Sequence, residues 1–192
     1  MKIKTLLVLM FICQYVFSQT KNEKEERISQ SEFPEAAIAV VNNLPEDCKR
    51  LKFYKETDGE TYSFEVKFKY ERKYYSLEFY NDGRIEDIEV LTKFKNLNDS
   101  VRGNISNYFK ASFSKYRFIK VQEQFVKPSE LDDTNFINDV LDNTSKVSPN
   151  FEIIAEVKSD ANHHIREFTF NHTGEIMDFR ILNPGSYDHV LY

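Results

Sequence analysis

From Tyr62 to Tyr70 the chain alternates: Tyr62, Phe64, Val66, Phe68 and Tyr70 stand against Ser63, Glu65, Lys67 and Lys69. A period of two marks a strand with one buried face. After the tight connection Glu71-Arg72, Tyr75, Leu77 and Phe79 alternate with Tyr74, Ser76 and Glu78, a returning strand. Asn81-Asp82-Gly83 forms the next hairpin, with glycine supplying positive φ, and Ile88 and Val90 point inward from the strand that follows. Upstream, Asp58-Gly59 is a turn signal behind a short strand around Leu51 to Lys55. Ahead of that strand the period changes. Ala37, Val40, Val41 and Leu44 share one face of a helix that opens at Phe33-Pro34-Glu35 and ends by Pro45.

The pattern recurs. Tyr62 to Leu91 aligns without a gap to Ile153 to Leu182, most clearly YNDGRIEDIEVL from Tyr80 against NHTGEIMDFRIL from Asn171. Gly83 matches Gly174, Asp87 matches Asp178, and Glu65 matches Glu156. A repeat fixes architecture before any local detail. The second copy opens with a helix capped at Asn98 or Asp99, with Val101, Ile105, Tyr108, Phe109 and Phe113 on one side. A strand follows over about Tyr116 to Val126, and further strands carry Phe151 to Val157, Phe168 with Phe170, and Phe179 with Ile181. Residues 127–150 interrupt the repeat with a short amphipathic helix starting near Pro128-Ser129. The expected fold is α+β: two tandem units, each a helix plus a four-stranded antiparallel meander, with the helices on one face of the sheet. The units are placed at 32–95 and 96–182, joined edge to edge or side by side, with a tail at 183–192.

Lys2 and Lys4, the apolar run Thr5 to Phe17 and the compact residues before Gln19 read as a signal peptide over 1–18, cleaved between Ser18 and Gln19. The expected product is soluble and exported, periplasmic or secreted, with no membrane span. Removing Lys2 and Lys4 takes the formal charge from −5 to −7. No basic cluster offers a nucleic-acid footprint. Residues 19–31 are charged and carry only Ile28 as a large apolar side chain, so they read as a solvated linker. Cys48 is the one cysteine left after cleavage, which rules out an intramolecular disulfide and leaves stability to burial.

Candidate chemistry is sparse. His164 and His172 would sit at opposite ends of one strand, roughly 26 Å apart at strand rise. His163 and His164 diverge as neighbours, so no metal site is expected. Cys48 has no nearby base or oxyanion motif. The repeated carboxylates Glu65, Asp87, Glu156 and Asp178 fall on the outward phase of their strands, with Lys67 and Lys158 two residues from each Glu; cross-strand charge pairing on a wet face accounts for them. No phosphate loop, nucleophile elbow or zincin motif is present. No cofactor and no enzymatic activity are expected.

The stretch FPEAAIAVVNNLPEDCKRLKFYKETDGETYSFEVKF with YYSLEFYNDGRIEDIEV resembles the PepSY-like family of exported bacterial proteins. Those proteins open a helix near a proline and end in an aspartate-glycine hairpin. In tandem the unit is similar to the fold of the β-lactamase inhibitor protein, and the signal ending in FSQ resembles those of the Bacteroidetes. The second copy departs at Thr173, which replaces the turn aspartate. The resemblance implies binding or inhibition of peptidases or other proteins. The leading expectation is a non-enzymatic module that binds an envelope protein or peptide on its open sheet face, lined by Glu65, Lys67, Tyr74, Ser76, Glu78, Glu156, Lys158 and Thr169. Exposed tyrosine offers contact area at small entropic cost. The alternative is a small-molecule carrier or sensor with a cleft between the two units.

Overall fold

The computed structural model describes residues 20–21, 23–159 and 162–182, so the signal peptide expected over 1–18 and the tail from 183 lie outside the described residues. Ten strands form one sheet: β1 (Thr20–Lys21), β2 (Glu23–Ile28), β3 (Lys49–Asp58), β4 (Thr61–Tyr70), β5 (Lys73–Phe79), β6 (Ile85–Thr92), β7 (Lys115–Val126), β8 (Asn150–Ser159), β9 (Asn162–Phe170) and β10 (Ile176–Leu182). Their order is β1-β10-β9-β8-β7-β6-β5-β4-β3-β2. From β2 to β10 every neighbouring pair is antiparallel; only β1 on β10 is parallel.

This corrects the expected fold class. The chain is not two helix-plus-four-strand units but largely a β protein, 49% strand against 23% helix, built on one nine-strand antiparallel run. The reason lies at the middle of the chain. β6 pairs directly with β7, from Asp87↔Val126 to Thr92↔Val121, so the ladder passes through the repeat boundary unbroken. Backbone groups that each meander would have left at its edge are satisfied by the other.

A second correction concerns 19–31. Glu23–Ile28 is not a solvated linker but β2, hydrogen-bonded along its length to β3 from Glu23↔Asp58 to Ile28↔Phe53. Its charged sequence suits an edge strand, where charge discourages further pairing. One residue separates β2 from β1, and β1 pairs with β10 at the far end of the sheet order. Two trans peptide links span at most about 7.6 Å. The N-terminal run therefore touches both edges of the sheet, which must roll until β3 and β10 meet it.

Three helices cover the outside of the roll. α1 (Glu35–Val41) buries Ala37 and Val41 against Phe64, Val66, Leu77 and Phe79. α2 (Asp99–Ser112) is capped by Asn98, whose side chain accepts from Ser100 N–H at 2.9 Å. It buries Val101, Ile105 and Phe109 over Val121, Ile153, Val157, Phe168 and Phe170. The Phe109 ring meets those of Tyr116, Phe118 and Phe168 at centroid distances of 5.1, 4.9 and 4.8 Å. α3 (Asp133–Leu141) is the helix expected within 127–150. It starts at Asp133 because Asp132 caps it, accepting from Asn135 N–H, and it seals the first core with Phe136, Ile137, Val140 and Leu141. Tyr62, placed inward by its phase, is exposed and packs edge-on against Phe64.

The two repeated glycines hold sheet to helix. Gly83 (φ +86°) leaves its Cβ position 3.0 Å from the Ala37 amide nitrogen, and Gly174 (φ +84°) leaves its own 2.8 Å from the Val101 carbonyl oxygen. Gly59 (φ +62°) faces open space. Urea denaturation should rank the alanine variants accordingly. Gly83→Ala and Gly174→Ala lose ~2–4 kcal/mol, because a left-handed conformation and a backbone clash add. Gly59→Ala loses about 1 kcal/mol, from conformation alone. Equal losses at all three would show that these turns do not dock on the helices.

Candidate functional site

The face opposite the helices is a concavity of about 480 Å³ lined by residues of every strand from β2 to β10. Its lining is acidic. Glu25, Glu56, Glu65, Glu78, Asp87, Glu89, Glu152 and Glu167 face it, with Lys67, Lys120 and Arg180 as its cations. Rolling crowds this face, so Glu65, Asp87, Glu89 and Glu167 are only 3–6% exposed.

Strand register decides who meets whom. Glu65 lies opposite Glu78, and Glu78 opposite Asp87, a row of three carboxylates across β4, β5 and β6. Directly opposed Cβ atoms sit about 5 Å apart, where like charges destabilise. One step along, Lys67 lies opposite Ser76 and Ser76 opposite Glu89. The expected cross-strand charge pairing on a wet face therefore does not describe Glu65 and Asp87: both side chains are buried, and each lies directly opposite the acid Glu78. Where the second copy stays exposed, pairing does occur. Glu156 accepts from Arg117 Nη2 at 2.9 Å and lies 3.3 Å from His163 Nδ1, which holds its carboxyl below the usual range. Asp178, the counterpart of Asp87, is exposed.

Three devices manage the buried acids. Lys67 Nζ bridges Glu25 Oε2 at 2.7 Å and Glu65 Oε2 at 3.1 Å, over the ring of Tyr54. Burial opposes the charged ammonium, but Glu65 and Glu25 outweigh it and raise the Lys67 pKa. Glutamines supply the second device. Gln124 Nε2 donates to Asp87 Oδ2 at 2.9 Å and to Glu152 Oε1 at 3.1 Å, and Gln122 donates to Glu89. The third is Arg180, which donates to Glu167 at 2.7 Å. Glu78 and Asp87 have no ion-pair partner among the described residues. Burial drives both carboxyls well above their ordinary pKa values, with repulsion from Asp87 and Glu89 adding at Glu78 and repulsion from Glu89 and Glu86 adding at Asp87. Asp87 Oδ1 is buried with no hydrogen-bond partner.

The oxygens of Glu25, Glu56 and Glu65 lie within 4.8 Å of one another, close enough to share an ion, though Lys67 already occupies two of the three. This trio escapes a sequence reading that leaves Glu25 in a linker. His163 approaches Glu156 rather than another histidine. Burial, with Asp47 adding, pushes the Cys48 thiol up to about 11, far from a thiolate nucleophile at neutral pH.

Of the expected face residues, Glu65, Lys67 and Glu78 line the concavity, and Ser76 is buried between Lys67 and Glu89. Tyr74 lies on the same side of β5 but outside the concavity, 47% exposed, with Lys69 Nζ 5.7 Å from its ring. Glu156, Lys158 and Thr169 also lie outside it; Lys158 stands opposite His163 and Thr169 opposite Glu152 and Asp178. Glu89, Gln122, Gln124, Glu152 and Glu167 are missing from the sequence reading, although Glu89 shares the phase of Asp87. No helix among the described residues is long and apolar enough to cross a membrane.

No family model matches the chain, and no curated protein does. Among solved structures, the chain is similar to a DUF2874 family protein from Bacteroides ovatus ATCC 8483. The TM-score is 0.52 at 9% identity, over 81% of this chain and 98% of that one. At that identity the likeness is one of fold.

The buried acids fix the sign of a pH effect. A carboxyl whose folded pKa lies above its unfolded value near 4 adds no penalty below that pH, and destabilises the fold as pH rises through the folded value. The melting temperature should therefore fall as pH rises above the ordinary carboxylate range. Asp87→Asn and Glu78→Gln should flatten that slope, each gaining on the order of 1 kcal/mol at pH 7.5 and close to nothing at pH 4. Variants less stable than the parent at pH 7.5 would contradict burial of the row.

Proposed function

We propose that the chain is a non-enzymatic exported binding module that takes a basic stretch of a protein or peptide partner in the cell envelope onto its acidic concave face. The observation that carries this reading is the row Glu65, Glu78, Asp87: three acids opposed across adjacent strands, at positions where sheet stability alone would favour neutral or alternating charge. Acids kept against stability are expected where a ligand supplies the missing charge. The exported location follows from the signal-peptide pattern. The resemblance to PepSY-like proteins and to the tandem inhibitor fold favours a protein partner over a reaction. A net negative field would speed the approach of a basic partner and make capture sensitive to salt.

One observation favours a second reading, a carrier for a small cationic molecule. The concavity, about 480 Å³, falls within the range of small-ligand sites. It belongs to the rolled sheet itself and not to a cleft between two units.

Affinity capture from envelope extract of the protein's own source tests the first reading. The processed chain should retain a basic protein or peptide at ~50 mM salt and release it at ~500 mM, where the screening length is only a few ångströms. The triple variant Glu78→Gln, Asp87→Asn, Glu89→Gln should retain none of it. A partner held equally by the variant, or indifferent to salt, would move the interface off this face.

A further inference from the structure

Within the concavity the chain already shows how it accommodates a positive group. Lys67 Nζ sits between two carboxylates, 2.7 Å from Glu25 of β2 and 3.1 Å from Glu65 of its own strand. In the row that continues from Glu65, Glu78 and Asp87 are directly opposed carboxylates with no ion-pair partner among the described residues. Gln124 satisfies Asp87 Oδ2, and Oδ1 is left buried and unpartnered in a residue only 4% exposed that lines the concavity. A buried carboxylate oxygen without a donor is costly, and one charged donor would satisfy it. The donor class follows from spacing. Among the described residues the carboxylate trio drawn within 4.8 Å is Glu25, Glu56 and Glu65, not one containing Glu78 and Asp87. Calcium ligands at 2.3–2.6 Å must converge about that closely. An ammonium, with three donors and hydrogen bonds near 2.8 Å, needs no third carboxylate, as Lys67 shows between Glu25 and Glu65.

We propose that Glu78 and Asp87 form the seat for one primary ammonium group of the ligand. This rests on the reading of the concave face as a cation-binding surface, and it names the group that face recognises: a lysine side chain of a protein or peptide, or the end of a free polyamine.

Calorimetric titration of the full processed chain at low salt tests it, with capped penta-lysine, capped penta-norleucine, spermidine and calcium chloride as separate probes. Penta-lysine or spermidine should bind and penta-norleucine should not. Binding of penta-lysine without spermidine assigns the seat to a side chain, and spermidine without penta-lysine to a free amine. Asp87→Asn and Glu78→Gln should each weaken that binding ~10-fold or more while raising the melting temperature, a combination that general destabilisation cannot give. Asp178→Asn, the same charge change at the repeat-equivalent exposed position, should leave affinity unchanged. Ammonium binding that survives Asp87→Asn and Glu78→Gln would overturn the seat and leave the cationic reading of the face standing. Failure of every probe on the parent chain would overturn both. Calcium binding that depends on Asp87, without ammonium binding, would replace the ammonium with a metal ion.

Discussion

Everything about the concave face depends on the N-terminal run that bridges the two edges of the sheet. Six residues pair with β3 and, after one intervening residue, two pair with β10. A flat ten-stranded sheet would leave the face opposite the helices in water, where carboxylates cost nothing. Joining the edges removes that freedom. The sheet must coil, its inner face shrinks, and side chains there lose solvent. Closure also brings Glu25 of β2 into reach of Lys67, so the strand that rolls the sheet supplies part of the charge inside it.

The two repeats show what rolling does to identical chemistry. Glu65 and Glu156 occupy matched positions, as do Asp87 and Asp178. The first of each pair is buried among acids, and the second is solvated or paired with Arg117 and His163. Position in the roll, not residue type, sets the electrostatics. The fold tolerates the buried row because two aromatic and aliphatic cores, on the helix side of the sheet, supply the cohesion. A cluster that costs stability, partly neutralised by Lys67 and Arg180 and hydrogen-bonded by Gln122 and Gln124, is a place where folding and function pull apart.

Much of the local structure was legible in the chain. Alternation from Tyr62 to Phe79 located β4 and β5, and helical spacing located α2 and the face that buries Val101, Ile105 and Phe109. The glycines at 83 and 174 marked hairpins whose tightness against α1 and α2 is a tertiary fact. The sheet's continuity was not legible. Nothing in the spacing of Ile88 and Val90 states that β6 will pair with β7, because register between distant strands is a global choice. The N-terminal strand was hidden by its composition. EKEERI lacks the apolar alternation of a core strand, and an edge strand does not need it. Missing that strand hid Glu25, left the face open, and so turned Glu65 and Asp87 into surface residues. Glu89 and Glu152 were in plain view as acids on outward phases, but the burial of Glu89 and the half-burial of Glu152 follow only from curvature.

The most direct test is hydrogen exchange of the backbone amides of Glu23–Ile28 in the intact protein. An N-terminal run that bridges the sheet should exchange as slowly as its partners in β3, within about tenfold for amides in the ladder, and protection should collapse together in both strands as denaturant rises. Exchange at the rate of an unstructured chain in those six residues, with β3 still protected, would mean that the sheet is open. The acidic face would then be a wet surface instead of the inside of a roll.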